Sequence, residues 1–198
     1  MASLFDTLQA GAYRNNIVPN TKKSRNWFSS RVRELGKVTR KDVMNDPNLV
    51  TRQKPMIGDM MMYVYDPKGK FELPYFDIFP LTIMVGPAEG GFYGLNLHYL
   101  SPMVRAEFLD ELMKLAPAKK TNQTRLARLR YDLLQGVQKY REFKPCFKHY
   151  LMGHVKSRLA RVPMTEWEIA VFLPTEEFKN VSKQTVWRYS RDIYRIKK

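Results

Sequence analysis

The sequence predicts an α+β fold, in which a small β-barrel is flanked by helices on both sides in the chain. Residues 60–100 contain short runs rich in Tyr, Phe, Val and Ile, separated by Asp-Pro, Leu-Pro, Phe-Pro and Gly-Gly pairs. This alternation is typical of short strands joined by tight turns. About five such strands close most simply into a barrel, because closure removes unpaired edges. We therefore predict an SH3-like β-barrel with flanking N-terminal and C-terminal helices.

The composition supports one core with helical additions. The chain has 198 residues, of which 44% are hydrophobic and 13% aromatic, which is enough apolar material for a globular domain. We divide it into an N-terminal arm with a basic helix at residues 1–57, the barrel at residues 58–175 and a basic aromatic tail at residues 176–198. A helix pair is expected as an insertion at about residues 102–140.

The basic helix is predicted at residues 21–35. Its apolar side chains follow helical spacing, Asn20 or Thr21 can cap its start, and Gly36 can end it. Its opposite face carries four cations, Lys22, Lys23, Arg25 and Arg33. This face suits contacts with phosphates, and it equally suits a solvated helix surface.

The predicted barrel contains a hairpin and several turns. Residues 81–85 and 92–97 fit its two arms, with residues 86–91 as the loop. The turn Asp66-Pro67-Lys68-Gly69 fits a β-turn, because proline presets the backbone at the second position. We expect Phe79 and Trp167 to be buried in the core.

Two helices are expected after the hairpin. The first begins at Pro102 and ends before Pro117, and the second covers about residues 121–140. The second helix has cations in its first turns, where the helix dipole disfavours them. They indicate either an external anion or an ordinary wet helix face: Arg125, Arg128 and Arg130.

The C-terminal third is less regular. Residues 144–162 fit a short helix around Phe147 and Leu151, followed by a helix or a strand. A helical turn is expected after Pro163. The tail shows no single apolar stripe, so we predict that it docks on a partner. Its candidate phosphate-binding cations are Arg188, Arg191, Arg195, Lys197 and Lys198.

The net charge of +15 is unevenly distributed along the chain. Residues 1–60 carry +6, residues 61–116 carry −3 and residues 117–198 carry +12. Basic flanks around a mildly acidic centre suggest a polyanionic partner, and nucleic acid is the commonest one. A protein-binding or solvated basic surface is the alternative.

No catalytic, cofactor-binding or metal-binding residues are predicted. The chain lacks the Gly-Lys-Ser/Thr phosphate loop, and His149 and His154 do not have the spacing of a zinc-protease motif. Asp66, Glu72 and Asp77 could cluster as in a Mg²⁺-dependent nuclease, although turns also explain them. His98 fits a hydrogen-bonded core or rim histidine.

The expected location is a reducing cytosol. Cys146 is the single cysteine, so it cannot form an intramolecular disulfide, and we expect it to be a small buried side chain. No signal peptide and no window apolar enough to span a membrane are visible.

Three motifs carry a resemblance to a known family. They are Tyr65–Lys68, Leu73–Leu81 and Gly90–Leu100, and a further block spans Pro163–Pro174. The pattern resembles small virion structural proteins of large contractile-tailed bacteriophages (myoviruses), over roughly residues 55–175. Members are described as DNA-end protectors, head-completion proteins or baseplate components. The resemblance implies a virion protein made in the host cytoplasm.

We therefore expect a non-enzymatic structural protein of the neck, tail or baseplate, near the path by which DNA leaves the particle. Its partners would be other virion proteins, including copies of itself in a symmetric ring, with possible non-specific DNA contact. One alternative is a DNA-end-binding protein that caps packaged DNA. A Mg²⁺-dependent nuclease is a further alternative.

Overall fold

A computed structural model gives the structure of the chain and describes residues 3–114 and 141–195. The predicted α+β class is confirmed. The helices are α1 (Leu4–Arg14), α2 (Lys22–Glu34), α3 (Arg40–Met44), α4 (Pro102–Lys114), α5 (Trp167–Ala170) and α6 (Lys183–Arg195). Short 3₁₀ turns occur at Leu97–Tyr99, Arg141–Cys146, Met152–His154 and Met164–Glu166.

The strands form one large sheet and one small sheet. They are β1 (Val50–Arg52), β2 (Met60–Met62), β3 (Phe76–Asp77), β4 (Leu81–Ala88), β5 (Gly91–Asn96), β6 (Phe147–Leu151), β7 (Leu159–Val162) and β8 (Phe178–Lys179). Six strands pair antiparallel in the order β1-β7-β2-β4-β5-β6. The remaining two, β3 and β8, pair with each other.

The predicted SH3-like barrel is not confirmed, because the sheet does not close. Strands β1 and β6 lie at opposite ends of the strand order, and the described strands show no pairing between these two edges. One face of the sheet nevertheless surrounds its own aromatic cluster, which includes Tyr63, Phe92 and Tyr150. Most members of this cluster come from the strands, so the sheet curves around them.

The other face of the sheet is covered by helices. Met60, Ile83 and Leu95 from the sheet share one apolar cluster with Phe5 of α1 and Phe28 of α2. The N-terminal helices therefore pack on the same core as the strands. The buried positions expected from the sequence are confirmed: Phe79 is 0% exposed, Trp167 is 3% exposed, and Cys146 is buried.

The central hairpin is tighter than predicted. Strand β4 continues to Ala88 and β5 begins at Gly91, so the turn contains only Glu89 and Gly90. Gly90 has a φ of +67°, a conformation that side-chain-bearing residues seldom adopt. A Cβ atom on Gly91 would lie 1.8 Å from the carbonyl oxygen of Tyr150. The Gly-Gly motif therefore serves the turn and the close approach of β6.

One prediction for the C-terminal third was wrong. The expected short helix around Phe147 and Leu151 is strand β6, which pairs with β5. Docking of the tail on a partner stays a prediction, and the structure adds that α6 packs on the core of its own chain. Val186 is fully buried there, and Ser190 donates a hydrogen bond to the carbonyl of Tyr99 at 2.8 Å.

Candidate nucleic-acid interface

Helix α2 presents part of the predicted basic surface to solvent. Thr21 caps the helix, accepting a hydrogen bond from the backbone N–H of Ser24 at 3.1 Å. Burial of Phe28 and Val32 fixes the orientation of the helix against the core. As a result, three of its four predicted cations are exposed: Lys22, Lys23 and Arg33. Within the described part of the chain, Lys22 and Lys23 form no ion pair with a carboxylate.

The positive end of α2 is neutralised internally. The buried carboxylate of Glu168 accepts a hydrogen bond from the backbone N–H of Asn20 at 3.0 Å and another from the hydroxyl of Ser24. A carboxylate at this position is favoured by the helix dipole. The backbone N–H groups of Asn20, Thr21 and Ser24 thus all donate within the chain.

Arg25 differs from its three neighbours because it is half-buried. Its guanidinium forms an ion pair with Asp110 of α4, and the two side chains are only 20% and 13% exposed. Arg25 therefore joins α2 to α4. Among the predicted cations whose side chains the structure describes, Arg25 is the least available to an external anion.

Helix α6 provides a second exposed basic surface. Its inner side is fixed by Val186, by Ser190 and by Trp187, whose indole N–H donates to the carbonyl of His98 at 2.9 Å. Arg188 and Arg191 point outward and are exposed. The guanidinium of Arg188 lies 6.0 Å from the ring centre of its neighbour Tyr189.

Helix α4 contacts both basic helices. Asp110 on α4 pairs with Arg25 of α2. Arg105, also on α4, lies with its guanidinium 5.6 Å from the ring centre of Trp187 on α6. Both helices that carry the exposed cations therefore contact α4. The other predicted cations lie outside the residues whose side chains the structure describes: Arg125, Arg128, Arg130, Arg195, Lys197 and Lys198.

An aromatic surface next to α6 was missed by the sequence reasoning. The ring of Tyr75 stacks on that of Tyr189, with ring centres 6.3 Å apart and planes 28° apart. Upstream of Tyr75, the turn that follows Asp66 exposes Phe71, whose side chain is 93% exposed. An exposed phenylalanine among lysines in a Pro-Lys-Gly-Lys-Phe sequence is the signal that could have identified this turn.

A buried polar network lies beneath this surface. His98 Nδ1 is 2.8 Å from Asp77 Oδ2, and the hydroxyl of Thr175 lies 3.4 Å from His98 Nε2. The series of contacts from Thr175 through His98 to Asp77 resembles the catalytic triad of a hydrolase. All three residues are buried, so a substrate cannot reach them. The expectation that His98 is a hydrogen-bonded core residue is confirmed.

A buried ion pair continues this network. Arg105 contacts Glu176 at 2.6 Å, and both side chains are at most 1% exposed. Burial alone would raise the pKa of Glu176, but the charges of Arg105, His98 and Lys183 lower it to about 2. The pair fixes α4 against the segment that precedes α6, and so positions the basic helices.

The carboxylates considered for a nuclease are separated. Asp77 is 4% exposed and bonded to His98, whereas Asp66 forms an ion pair with Lys70 at 2.9 Å. Among the described residues, no group of three or more His, Cys, Asp or Glu side chains could hold a metal ion. None of the described helices has the length and apolar composition needed to cross a bilayer.

Comparison with known proteins identifies one family. Residues 4–193 match the family model described as "Phage T4 terminal DNA protecting protein". No curated protein and no solved structure matches the chain significantly. The match confirms the resemblance to DNA-end protectors of contractile-tailed bacteriophages and favours that role over the head-completion and baseplate roles.

Proposed function

Since the chain belongs to the family of the phage T4 terminal DNA protecting protein, we propose that it binds the ends of a phage DNA molecule and shields them. The observation that carries this proposal is the family match over nearly the whole chain. The alternative that the sequence raised, a protein that caps DNA ends, thus becomes the main interpretation. A role near the DNA exit path is compatible with this interpretation, because a DNA end occurs there.

The exposed cations supply the binding energy in this proposal. Lys22 and Lys23 on α2, and Arg188 and Arg191 on α6, are exposed on helices that both contact α4. Cations that neutralise phosphates release condensed counterions, which favours binding to any DNA sequence. Such contacts position the protein but do not select bases.

Protection follows from occupancy rather than from a reaction. The triad-like residues Asp77, His98 and Thr175 are buried, so the proposed mechanism assigns them no chemistry. A bound protein excludes other proteins from the same DNA end. The protein would travel with the DNA in the virion, in contact with other virion proteins.

The experiment is an exonuclease protection assay with the full chain. Linear duplex DNA is incubated with the protein and then with an exonuclease that requires a free end. We expect digestion to slow as protein is added, and to recover when the salt concentration is raised. As a control, an endonuclease should cut an internal site of the same DNA at an unchanged rate. Equal protection of internal sites and ends, or loss of DNA without nuclease, would overturn the proposal.

A further inference from the structure

End protection raises a question of selectivity. Phosphates are the same along the whole duplex, so the exposed cations on α2 and α6 cannot distinguish an end from the interior. One feature that the duplex interior lacks is the uncovered face of the terminal base pair, which is flat and apolar. An end-binding protein therefore benefits from an exposed ring that can stack on this face.

Phe71 is such a ring. Its side chain is 93% exposed, more than any other large apolar side chain among the described residues. Unlike the exposed Tyr13, it carries no hydroxyl to interact with water, so its exposure is unfavourable in the free protein. Stacking on a base removes this apolar surface from water.

Hydrogen bonds and an ion pair stabilise the turn that carries Phe71. The backbone N–H of Asp66 donates to the carbonyl of His154 at 3.0 Å, and the Asp66 side chain pairs with Lys70. Gly69 adopts a φ of +67°, and the N–H of Glu72 donates to its carbonyl at 2.9 Å. The ring is therefore held on a structured turn, which lowers the entropy lost on binding.

Phe71 is also close to the basic surface of α6. Tyr75 is only four positions further along the chain, so the two Cα atoms lie at most about 14 Å apart even in a fully extended chain. Tyr75 stacks on Tyr189, which is adjacent to Arg188. A duplex end that covered Phe71 would therefore bring its phosphates near the exposed arginines of α6.

We propose that Phe71 stacks on the terminal base pair of a duplex DNA end, while Arg188 and Arg191 contact the adjacent phosphates. Lys68 is exposed on the same turn and can reach the phosphate of the second strand. Glu72 is the exposed carboxylate of this turn. Because the face of a base is uncharged, the negative charge of Glu72 does not prevent stacking. This inference rests on the proposed function, since it explains how an end is selected.

The test measures preference for ends over duplex interior. The full chain binds a linear duplex that contains the fluorescent base 2-aminopurine at its terminal pair, and a closed circle of the same sequence serves as the competitor. Stacking of Phe71 should change the 2-aminopurine emission. The wild-type protein should prefer the linear DNA.

The variants are chosen to leave folding intact. Because Phe71 is exposed, Phe71→Ala should fold normally and should reduce the preference for linear over circular DNA by about 5- to 150-fold. Its affinity for the circle and the salt dependence should stay at the wild-type level. Phe71→Trp should retain the preference. Tyr13→Ala removes a ring that is 85% exposed on α1 and should have no effect.

The outcomes separate this inference from the proposed function. If the wild-type protein prefers ends and Phe71→Ala keeps both that preference and the emission change, the role of Phe71 is wrong and end protection stands. If the same variant instead fails only to enter virus particles, Phe71 contacts a protein. If the wild-type protein shows no preference for linear DNA, the proposed function itself fails.

Discussion

At the scale of single residues, the carboxylate of Asp77 organises the polar interior. It accepts hydrogen bonds from Asn96 at 3.0 Å, from the ring of His98 at 2.8 Å, and from the backbone N–H groups of Phe79 and Glu177. These partners come from three separate parts of the chain. The sequence predicted a hydrogen-bonded His98, but not its partner, because Asp77 comes close only after the strands have paired.

Glu166 is a half-buried carboxylate with a measurable consequence for stability. Burial and the nearby charges of Asp46 and Asp6 raise its pKa from 4.5 to about 7. The folded protein thus binds this proton more tightly than the unfolded chain between about pH 4.5 and 7. Stability from this group is therefore present below pH 4.5 and is lost as the pH rises through 7.

We predict that Glu166→Gln removes this loss of stability at high pH. Relative to the wild-type protein, the variant should gain stability as the pH rises from 5 to 8, by about 1 kcal/mol or less because the group is partly screened by solvent. Urea denaturation at several pH values, followed by circular dichroism, measures the difference. Glu89→Gln removes an exposed carboxylate from the hairpin turn and should leave the pH profile as it is. Parallel profiles for Glu166→Gln and the wild-type protein would contradict the assignment.

At the scale of elements, local signals were predictive where one segment determines its own structure. The cap and apolar spacing identified α2, and Pro102 marked the start of α4. The prediction failed where contacts with distant segments of the chain determine the secondary structure. The apolar side chains of β6 also fit a helix, and this segment is a strand because it pairs with β5. In α6, the buried face includes Ser190, a polar residue that interrupts the apolar pattern.

The candidate interface was predicted only in part. A charge count along the chain pointed to cations that lie on α2 and α6, because cations are visible in a sequence although their exposure is not. It could not separate Arg25 from Lys22 and Lys23, since the pairing of Arg25 with Asp110 depends on how two helices pack. The stacking of Tyr75 on Tyr189 depends on tertiary structure in the same way.

This difference between neighbours on α2 gives a prediction. Lys22→Glu with Lys23→Glu should reduce the slope of log affinity against log salt for duplex DNA by about 0.9 for each phosphate that is no longer neutralised, or about 1.8 for both. Arg25→Gln should leave the slope unchanged, because this guanidinium is already paired. The slope comes from titrations of a closed circular duplex at several salt concentrations. An effect of Arg25→Gln alone would reverse the assignment of these three residues.

At the scale of the whole molecule, the charge distribution suggests that different surfaces bind different partners. The basic helices α2 and α6 both contact α4, whereas the short edge strand β1 lies at one end of the sheet order. Next to this edge, Val50, Met56 and Ile57 are 40–57% exposed. An unpaired strand edge beside apolar side chains favours contact with another protein chain. The symmetric ring expected from the sequence would need such a surface.

We predict that more than one copy binds each DNA end. A duplex end has two phosphate strands, and a symmetric pair of chains is the smallest closed assembly that would place helix α6 beside both of them. Joining weak sites in this way raises the overall affinity without any new contact to DNA. Sedimentation of the full chain with a duplex that has one open end and one hairpin-closed end gives the number of copies. The same duplex closed at both ends corrects for binding to the interior.

The contact between copies can be tested with matched variants. Met56→Asp introduces a charge beside the β1 edge, where Met56 is 57% exposed, and should reduce the assembly to one copy per end. Met103→Asp introduces the same charge on α4, where Met103 is 44% exposed, and should leave the number unchanged. A single wild-type copy at saturating protein would exclude the ring at DNA ends. An unchanged number of copies with Met56→Asp would show that the copies meet through a different surface, because a buried unpaired carboxylate is strongly unfavourable at an interface.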